Sequence, residues 1–180
     1  MSTITLPQTG TWTIDPTHTS VGFMTRHLMV TKVRGSFKTF SGTIEVAEPI
    51  ENSSVEVTID AASIDTGTPD RDNHVRSADF LDTENHAALT FKSTAVRRVG
   101  SEFEVDGDLT IIGVTKPVTL LVEFDGEATD PWGNTKAGFT AATTINREDW
   151  GLTWNAPLEA GGVLVSKEVK IEIEAQTLKS

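Results

Sequence analysis

"EVKIEIEA" (168–175) sets Val169, Ile171 and Ile173 on one side of an extended chain and Lys170, Glu172 and Glu174 on the other. Successive side chains of a strand point to opposite faces, so a strict two-residue period makes one apolar and one wetted face. A half-buried strand of this kind pairs antiparallel with its neighbours, whereas strands of a parallel sheet, covered on both faces, read as continuous apolar runs. The pattern recurs in "VEVTID" (55–60), where Val55, Val57 and Ile59 oppose Glu56, Thr58 and Asp60. It recurs again in "PVTLLVEF" (117–124), with Val118, Leu120, Val122 and Phe124 on one face. Turn signals at "VGSE" (99–102), "DG" (125–126), "PWGN" (131–134) and "AGG" (160–162) separate such runs at strand-length intervals.

Strands are therefore expected at roughly 11–15, 18–27, 34–46, 54–60, 88–98, 102–112, 117–126, 136–146 and 164–176. Eight or nine strands with short connections make a sandwich or a closed barrel. No repeat, linker or low-complexity stretch divides the chain, so residues 1–180 read as a single domain.

Two segments break the alternation. The first, from Ser63 to Asn85, contains "RDNHVRSADFLD" (71–82). Asp70 or Asp72 can cap a helix there, and Val75, Ala78, Phe80 and Leu81 fit one short apolar stripe, which predicts one short helix around residues 70–80. The neighbouring Arg71 and Asp72 suit a clamp tying that helix to the strands. The second, "NREDWGLTWNAPLEAGG" (146–162), reads as a long ordered loop of the kind that is functional or acts as a lid.

A chain of 180 residues is long enough for a substantial core, since a domain of that size buries roughly 70% of its unfolded surface. Its net charge of −11 repels phosphate backbones, which argues against nucleic acid as a partner. Charge-driven binding to an anionic membrane is disfavoured for the same reason. Without cysteine there is no disulfide, thiolate metal site or thiol nucleophile. The opening "MSTITLPQTGTW" lacks the basic region and apolar core of a secretory leader. No run approaches the ~18 apolar residues of a transmembrane segment. A soluble, cytoplasmic protein is the default expectation.

Motifs for chemistry are sparse. There is no G-x-S-x-G elbow, no Walker-type loop and no G-x-G-x-x-G. Asp15 and His18, three residues apart across Pro16, could form an acid–base pair, but Asp15-Pro16 more simply makes a turn into a strand. His18, His27, His74 and His86 show no metal-ligand spacing. No catalytic residue, metal or cofactor is assigned.

"SVGFMTRHLMV" (20–30) is more informative, because Val21, Phe23, Thr25 and His27 share one face and end an apolar row on a histidine. Lys32, Arg34 and Phe37 follow. Lining a barrel, this row would form an apolar channel with a cationic rim, suited to a long lipid with a polar or anionic head. Alternatively, Phe23 and Phe37 are packed core and His27 is a surface donor, the reading that periodicity by itself favours. An eight-strand barrel either fills its interior with side chains or holds one small ligand. Small residues such as Gly22, Ala141 and Ala142 would leave a lumen if they face inward.

Six segments in order carry a family resemblance: "WTIDPTHTSVGFMTRH" (12–27), "VRGSFKTFSGTI" (33–44), "ASIDTGTPDRDNHVRSADFLD" (62–82), "LTFKS" (89–93), "VDGDLTIIGVTKPVTL" (105–120) and "INREDWGLTW" (145–154). From about Gly10 to Glu174 the chain resembles the YceI family of polyisoprenoid-binding proteins with a lipocalin-like barrel. The resemblance implies an all-β fold, a closed antiparallel barrel of about eight strands with one short helix. It also implies non-catalytic binding, storage or transport of an isoprenoid lipid, either a polyprenyl pyrophosphate or an isoprenoid quinone. The family's distinctive segments correspond to His18, Phe23 and His27, to Arg71, Asp72, His74, Ser77 and Phe80, and to Asn146, Arg147, Gly151 and Trp154. Ligand contacts are expected from Val21, Phe23, Phe37, Phe80, Leu81, Leu120, Val122, Ile145, Trp150 and Trp154. His27, Arg34, His74 and Arg76 are expected to select the head group. Two other readings stay open, an enzyme using a histidine base on a lipophilic substrate and an interaction module with an acidic surface. A homodimer through exposed strand edges is compatible with all three.

Overall fold

The alternating runs form eleven strands in one antiparallel sheet: β1 (Gly10–Ile14), β2 (Ser20–His27), β3 (Thr31–Phe37), β4 (Phe40–Val46), β5 (Ser54–Asp60), β6 (Ile64–Asp65), β7 (Ala88–Val99), β8 (Glu102–Ile111), β9 (Val114–Thr129), β10 (Thr135–Asn146) and β11 (Glu168–Lys179). Among the described residues one α-helix, α1 (Pro69–Arg76), and four short 3-10 turns interrupt them. The computed structural model describes residues 5–158 and 162–180, so the expected turn at 160–162 lies, but for Gly162, outside the described residues.

Eight strands close into a barrel in the order β1-β4-β5-β7-β8-β9-β10-β11, with β11 returning to β1. Closure leaves room for a branch because β11 is longer than β1. Its last residues, Thr177–Lys179, pair with β1, while Lys170–Glu174 pair with β2, which leads on to β3 and β6. The register sets Ile173 beside Val21 and Val21 beside Phe37, so the apolar faces of β11, β2 and β3 point the same way. Along β8 the inner row is Phe103, Val105, Gly107, Leu109 and Ile111, each buried, against Glu102, Glu104, Asp106 and Asp108 outside. Register shifts at Ser93/Ala95 in β7 and at Gly138/Phe139 in β10 supply the local bends that a closing sheet needs.

The expected strand 34–46 is two strands. β3 pairs with β2, but β4 pairs with β1 and β5, so the chain must change partners between them. At the change, the amides of Lys38 and Thr39 donate to the carbonyl and hydroxyl of Ser63. The strand expected from residue 18 starts at Ser20, after a 3-10 turn at Pro16–His18 that Asp15 caps. The last strand starts at Glu168 and runs on to Lys179.

The helix is shorter than expected, and neither aspartate caps it. Thr68 is the N-cap, with Pro69 in the first turn where its missing N–H is harmless. The Asp72 carboxylate instead turns back to accept from the Thr66 amide at 2.8 Å and from the Thr66 hydroxyl. Arg71 donates to the same residue's hydroxyl and carbonyl, each at 2.7 Å. Phe80 and Leu81 lie beyond the helix, in turns held by the Leu81 amide on the Val75 carbonyl and the Asp82 amide on the Ser77 carbonyl.

Candidate functional site

The inward faces do not fill the barrel. They enclose a cavity of about 200 Å³, measured by the centres of water-sized spheres, lined by thirty of the described residues. None of the thirty carries an ionisable side chain, and the polar side chains among them are hydroxyls, those of Thr19, Ser53 and Thr143. The lining draws on every wall: Val21 and Phe23 from β2, Phe37 from β3, Val55, Val57 and Ile59 from β5, Phe91 from β7, Val105 and Leu109 from β8, Leu120 and Val122 from β9, and Ile171 and Ile173 from β11. Two of these rings lie over glycines. A Cβ on Gly35 would come within 2.4 Å of the Phe23 ring, and one on Gly107 within 2.4 Å of Phe91, so the missing side chains decide where the rings rest.

Five of the residues expected to contact a ligand therefore line the cavity: Val21, Phe23, Phe37, Leu120 and Val122. Leu81, Ile145 and Trp150 are buried but belong to the packing behind the lining, with Ala61, Ile64 and Leu152. The Trp150 Nε1–H donates to the Leu109 carbonyl at 2.9 Å, which fixes the indole in that packing. Phe80, His74 and Trp154 form an aromatic cluster outside the lining. The His74 ring meets Trp154 edge-on at 4.6 Å between centroids and Phe80 at 5.2 Å, and its Nε2 lies 2.9 Å from an Asp79 carboxylate oxygen. Arg76 is a clamp whose guanidinium donates to the carbonyls of Ala62 and Ile64 at 2.8 and 2.9 Å. His27 and Arg34 are exposed on the β2–β3 hairpin. The four side chains expected near a head group thus do not converge on one point of the lumen.

Arg147 organises the loop expected at 146–162. It is buried, and its guanidinium donates to the carbonyls of Ser166, Leu152 and Trp154 at 2.9, 2.6 and 3.0 Å. Burial pushes this guanidinium below its ordinary pKa, and the Glu148 carboxylate opposes the shift. Phe80 lies beneath it, 5.8 Å from ring centroid to guanidinium carbon. These hydrogen bonds, with a longer one from Nη2 to the Val165 carbonyl at 3.4 Å, hold the loop against the barrel and commit the guanidinium to backbone carbonyls.

Several lining residues were not singled out from sequence, among them Ile14, Phe91, Phe103, Phe139, Ile171 and Ile173. The signal was present, because Ile171 and Ile173 form the apolar face of "EVKIEIEA". Gly22 and Ala141 do face the lumen, whereas Ala142 is not in the lining. Among the described residues, no group of three or more His, Cys, Asp and Glu side chains is placed to hold a metal, and no helix is long and apolar enough to cross a membrane.

A closed antiparallel barrel around an apolar cavity defines the class of protein. Residues 12–177 match the YceI-like domain, and the chain belongs to that family. It is 40% identical over 167 residues to a UPF0312 protein of Staphylococcus aureus, covering 92% of this chain and 95% of that one. A UPF0312 protein of Ectopseudomonas mendocina is 44% identical over 139 residues, 76% of this chain and 72% of the relative. Among solved structures, the YCEI protein of Campylobacter jejuni superposes with a TM-score of 0.74 at 28% identity, covering 86% of this chain and 90% of the other. Burkholderia cenocepacia BcnA shares the fold with a TM-score of 0.80 at 24% identity over 91% and 98% of the two chains. A polyisoprenoid binding domain from Saccharophagus degradans does so at 0.69 and 16% over 94% and 98%.

Proposed function

We propose that this barrel binds one long isoprenoid lipid non-covalently in its lumen and stores or carries it without altering it. The observation that carries the reading is that none of the thirty described lining residues has an ionisable side chain. Such a surface recognises a hydrocarbon chain by removing it from water, at about 25 cal/mol per Å² of apolar area. It offers nothing to a buried charge, which is expensive to desolvate unless paired. A pyrophosphate head would therefore stay outside the lining, while the tail of an isoprenoid quinone could enter on burial alone. The name of the Saccharophagus degradans domain, polyisoprenoid binding, agrees with this ligand class. Among the described residues, general acid–base chemistry inside the lumen lacks a group to perform it, since none of His18, His27 and His74 lines the cavity, and His18 and His74 lie against carboxylates.

Mass spectrometry of an organic extract of the purified protein tests the proposal. One polyisoprenoid lipid at close to one molecule per chain is expected. Protein that is recovered empty and takes up no added isoprenoid quinone would refute it. Replacing the lining residue Ala141 with Trp should lower lipid content while leaving the fold intact by circular dichroism.

A further inference from the structure

The charge of this chain is unevenly distributed. Residues 16–44 contain Arg26, Lys32, Arg34 and Lys38 and none of the 26 acids, so the rest of the chain sets 11 cations against all 26. The fold concentrates this difference on the β2–β3 hairpin. Arg26 lies directly opposite Lys32, and Arg34 and Lys170 flank Met24 on either side, which places four cations on one outer face. Glu168 and Glu172 of β11 border the patch, with Lys170 between them and 3.0 Å from the Glu172 carboxylate.

The end of the same hairpin is apolar and largely exposed, although the Leu28 amide donates to the Leu164 carbonyl at 2.9 Å and Met29 lies beside Gly162. Leu28, Met29 and Val30 are 45%, 59% and 76% exposed. Their turn, closed by the Val30 amide on the His27 carbonyl at 3.1 Å, holds Leu28 at φ 55° and Met29 at φ 61°. Asn and Gly suit that left-handed backbone, and branched or long apolar residues do not. Turn chemistry therefore does not account for Leu-Met, and burial accounts for it only in part, since 45% of Leu28 and 59% of Met29 stay exposed.

We propose that this hairpin tip docks on bilayers containing anionic phospholipid, with Leu28, Met29 and Val30 entering the headgroup boundary while Arg26, Lys32, Arg34 and Lys170 face lipid phosphates. Apolar side chains combined with nearby cations are the combination by which peripheral segments bind such surfaces. Three part-exposed side chains on one turn fall short of the roughly 800 Å² per partner that a stable protein interface buries. The inner face of the hairpin carries Val21, Phe23 and Phe37 into the lumen, so docking would bring the lumen wall to the bilayer. The proposal goes beyond lipid binding and does not require it.

Flotation of the full chain with phosphatidylcholine vesicles, with and without phosphatidylglycerol, tests it. Binding is expected to the phosphatidylglycerol vesicles and should weaken as salt rises. The double substitution Arg26→Gln/Lys32→Gln should weaken it by about fivefold per charge, or about 25-fold together. Leu28→Asn/Met29→Gly should reduce binding by about tenfold or more while raising thermal stability, because it installs the residues the turn prefers. Absence of binding at low salt overturns the proposal, as does unaltered binding by the Asn-Gly variant. So does self-association that this variant abolishes while vesicles remain unbound, which would make the tip a contact between copies. An empty lumen in the extract experiment would leave the vesicle result unchanged, so the two readings fail separately.

Discussion

A carboxylate as enclosed as that of Asp72, whose residue is 7% exposed, has to be satisfied by its neighbours. Burial by itself would raise its pKa. The hydroxyl and amide of Thr66, with the charges of Arg76 and Arg71, more than offset that and hold it below the ordinary carboxylate value. Removing it in Asp72→Ala strands the Thr66 amide and should destabilise the fold by about 2–3 kcal/mol. For a chain of this length that is roughly 4–12 °C of melting temperature. Because the folded pKa is depressed, the ionised Asp72 contributes fully above the unfolded-state value, near 4, and its contribution fades as pH falls from there through the folded pKa. The gap in melting temperature between wild type and Asp72→Ala should thus be constant at neutral pH and narrow below about pH 4. A gap that widened in acid would contradict this account. Sequence suggested that Arg71 and Asp72 could act as a clamp, but not that both would converge on Thr66. That threonine lies outside every pattern that helix or strand periodicity picks out.

Elements were legible where one face is wet and obscure where neither is. β5, β9 and β11 announce themselves because Glu56, Glu123 and Glu172 alternate with apolar neighbours. The break at Lys38 and Thr39 left a trace, since the inward positions switch from odd (Phe37) to even (Phe40, Ile44 and Val46) across it, but two exposed residues in a long polar and apolar run do not say which partner comes next. The same limit applied to the site. Val21 or Phe37 facing a cavity and Leu81 or Trp150 packed behind it are all apolar and inward, and periodicity reports only the direction. Close approaches between elements were also invisible, and they can be tested. A Cβ at Gly107 would meet the Phe91 ring at 2.4 Å and the Lys92 carbonyl at 2.8 Å, and that carbonyl belongs to the sheet ladder. Gly107→Ala should therefore cost about 1–3 kcal/mol, the usual range for overpacking. At Gly35 the three nearest obstructions are all atoms of the Phe23 ring, which borders the cavity and so has room to shift. Gly35→Ala should accordingly cost less stability and reduce lipid uptake more. Chemical denaturation and ligand titration of the two variants separate these effects, and equal losses in both assays would rule out the distinction.

At the scale of the whole molecule, the barrel is apolar inside and charged outside, the reverse of a transmembrane barrel with its lipid-facing band and polar interior. An interior of this kind discriminates by length. Each five-carbon unit moved from water into the lumen contributes roughly 3–4 kcal/mol gross, before the chain is ordered and confined. Affinity for a homologous series of isoprenoid quinones should therefore rise by about tenfold or more per unit while empty lumen remains. Once the cavity is full, further units stay in water and the affinity should level off. The unit number at that plateau measures usable lumen length independently of the head group. Ala141→Trp projects an indole from the lining into the cavity, so the plateau should move to a shorter chain while the slope below it is kept. Calorimetric or fluorescence titration across the series gives both quantities. A charged-head analogue with the same tail should share the slope, because the described lining residues include no cation to distinguish it. If affinity instead followed the head group and ignored tail length, the cavity would not be the binding site, and recognition would have to lie on the outer surface.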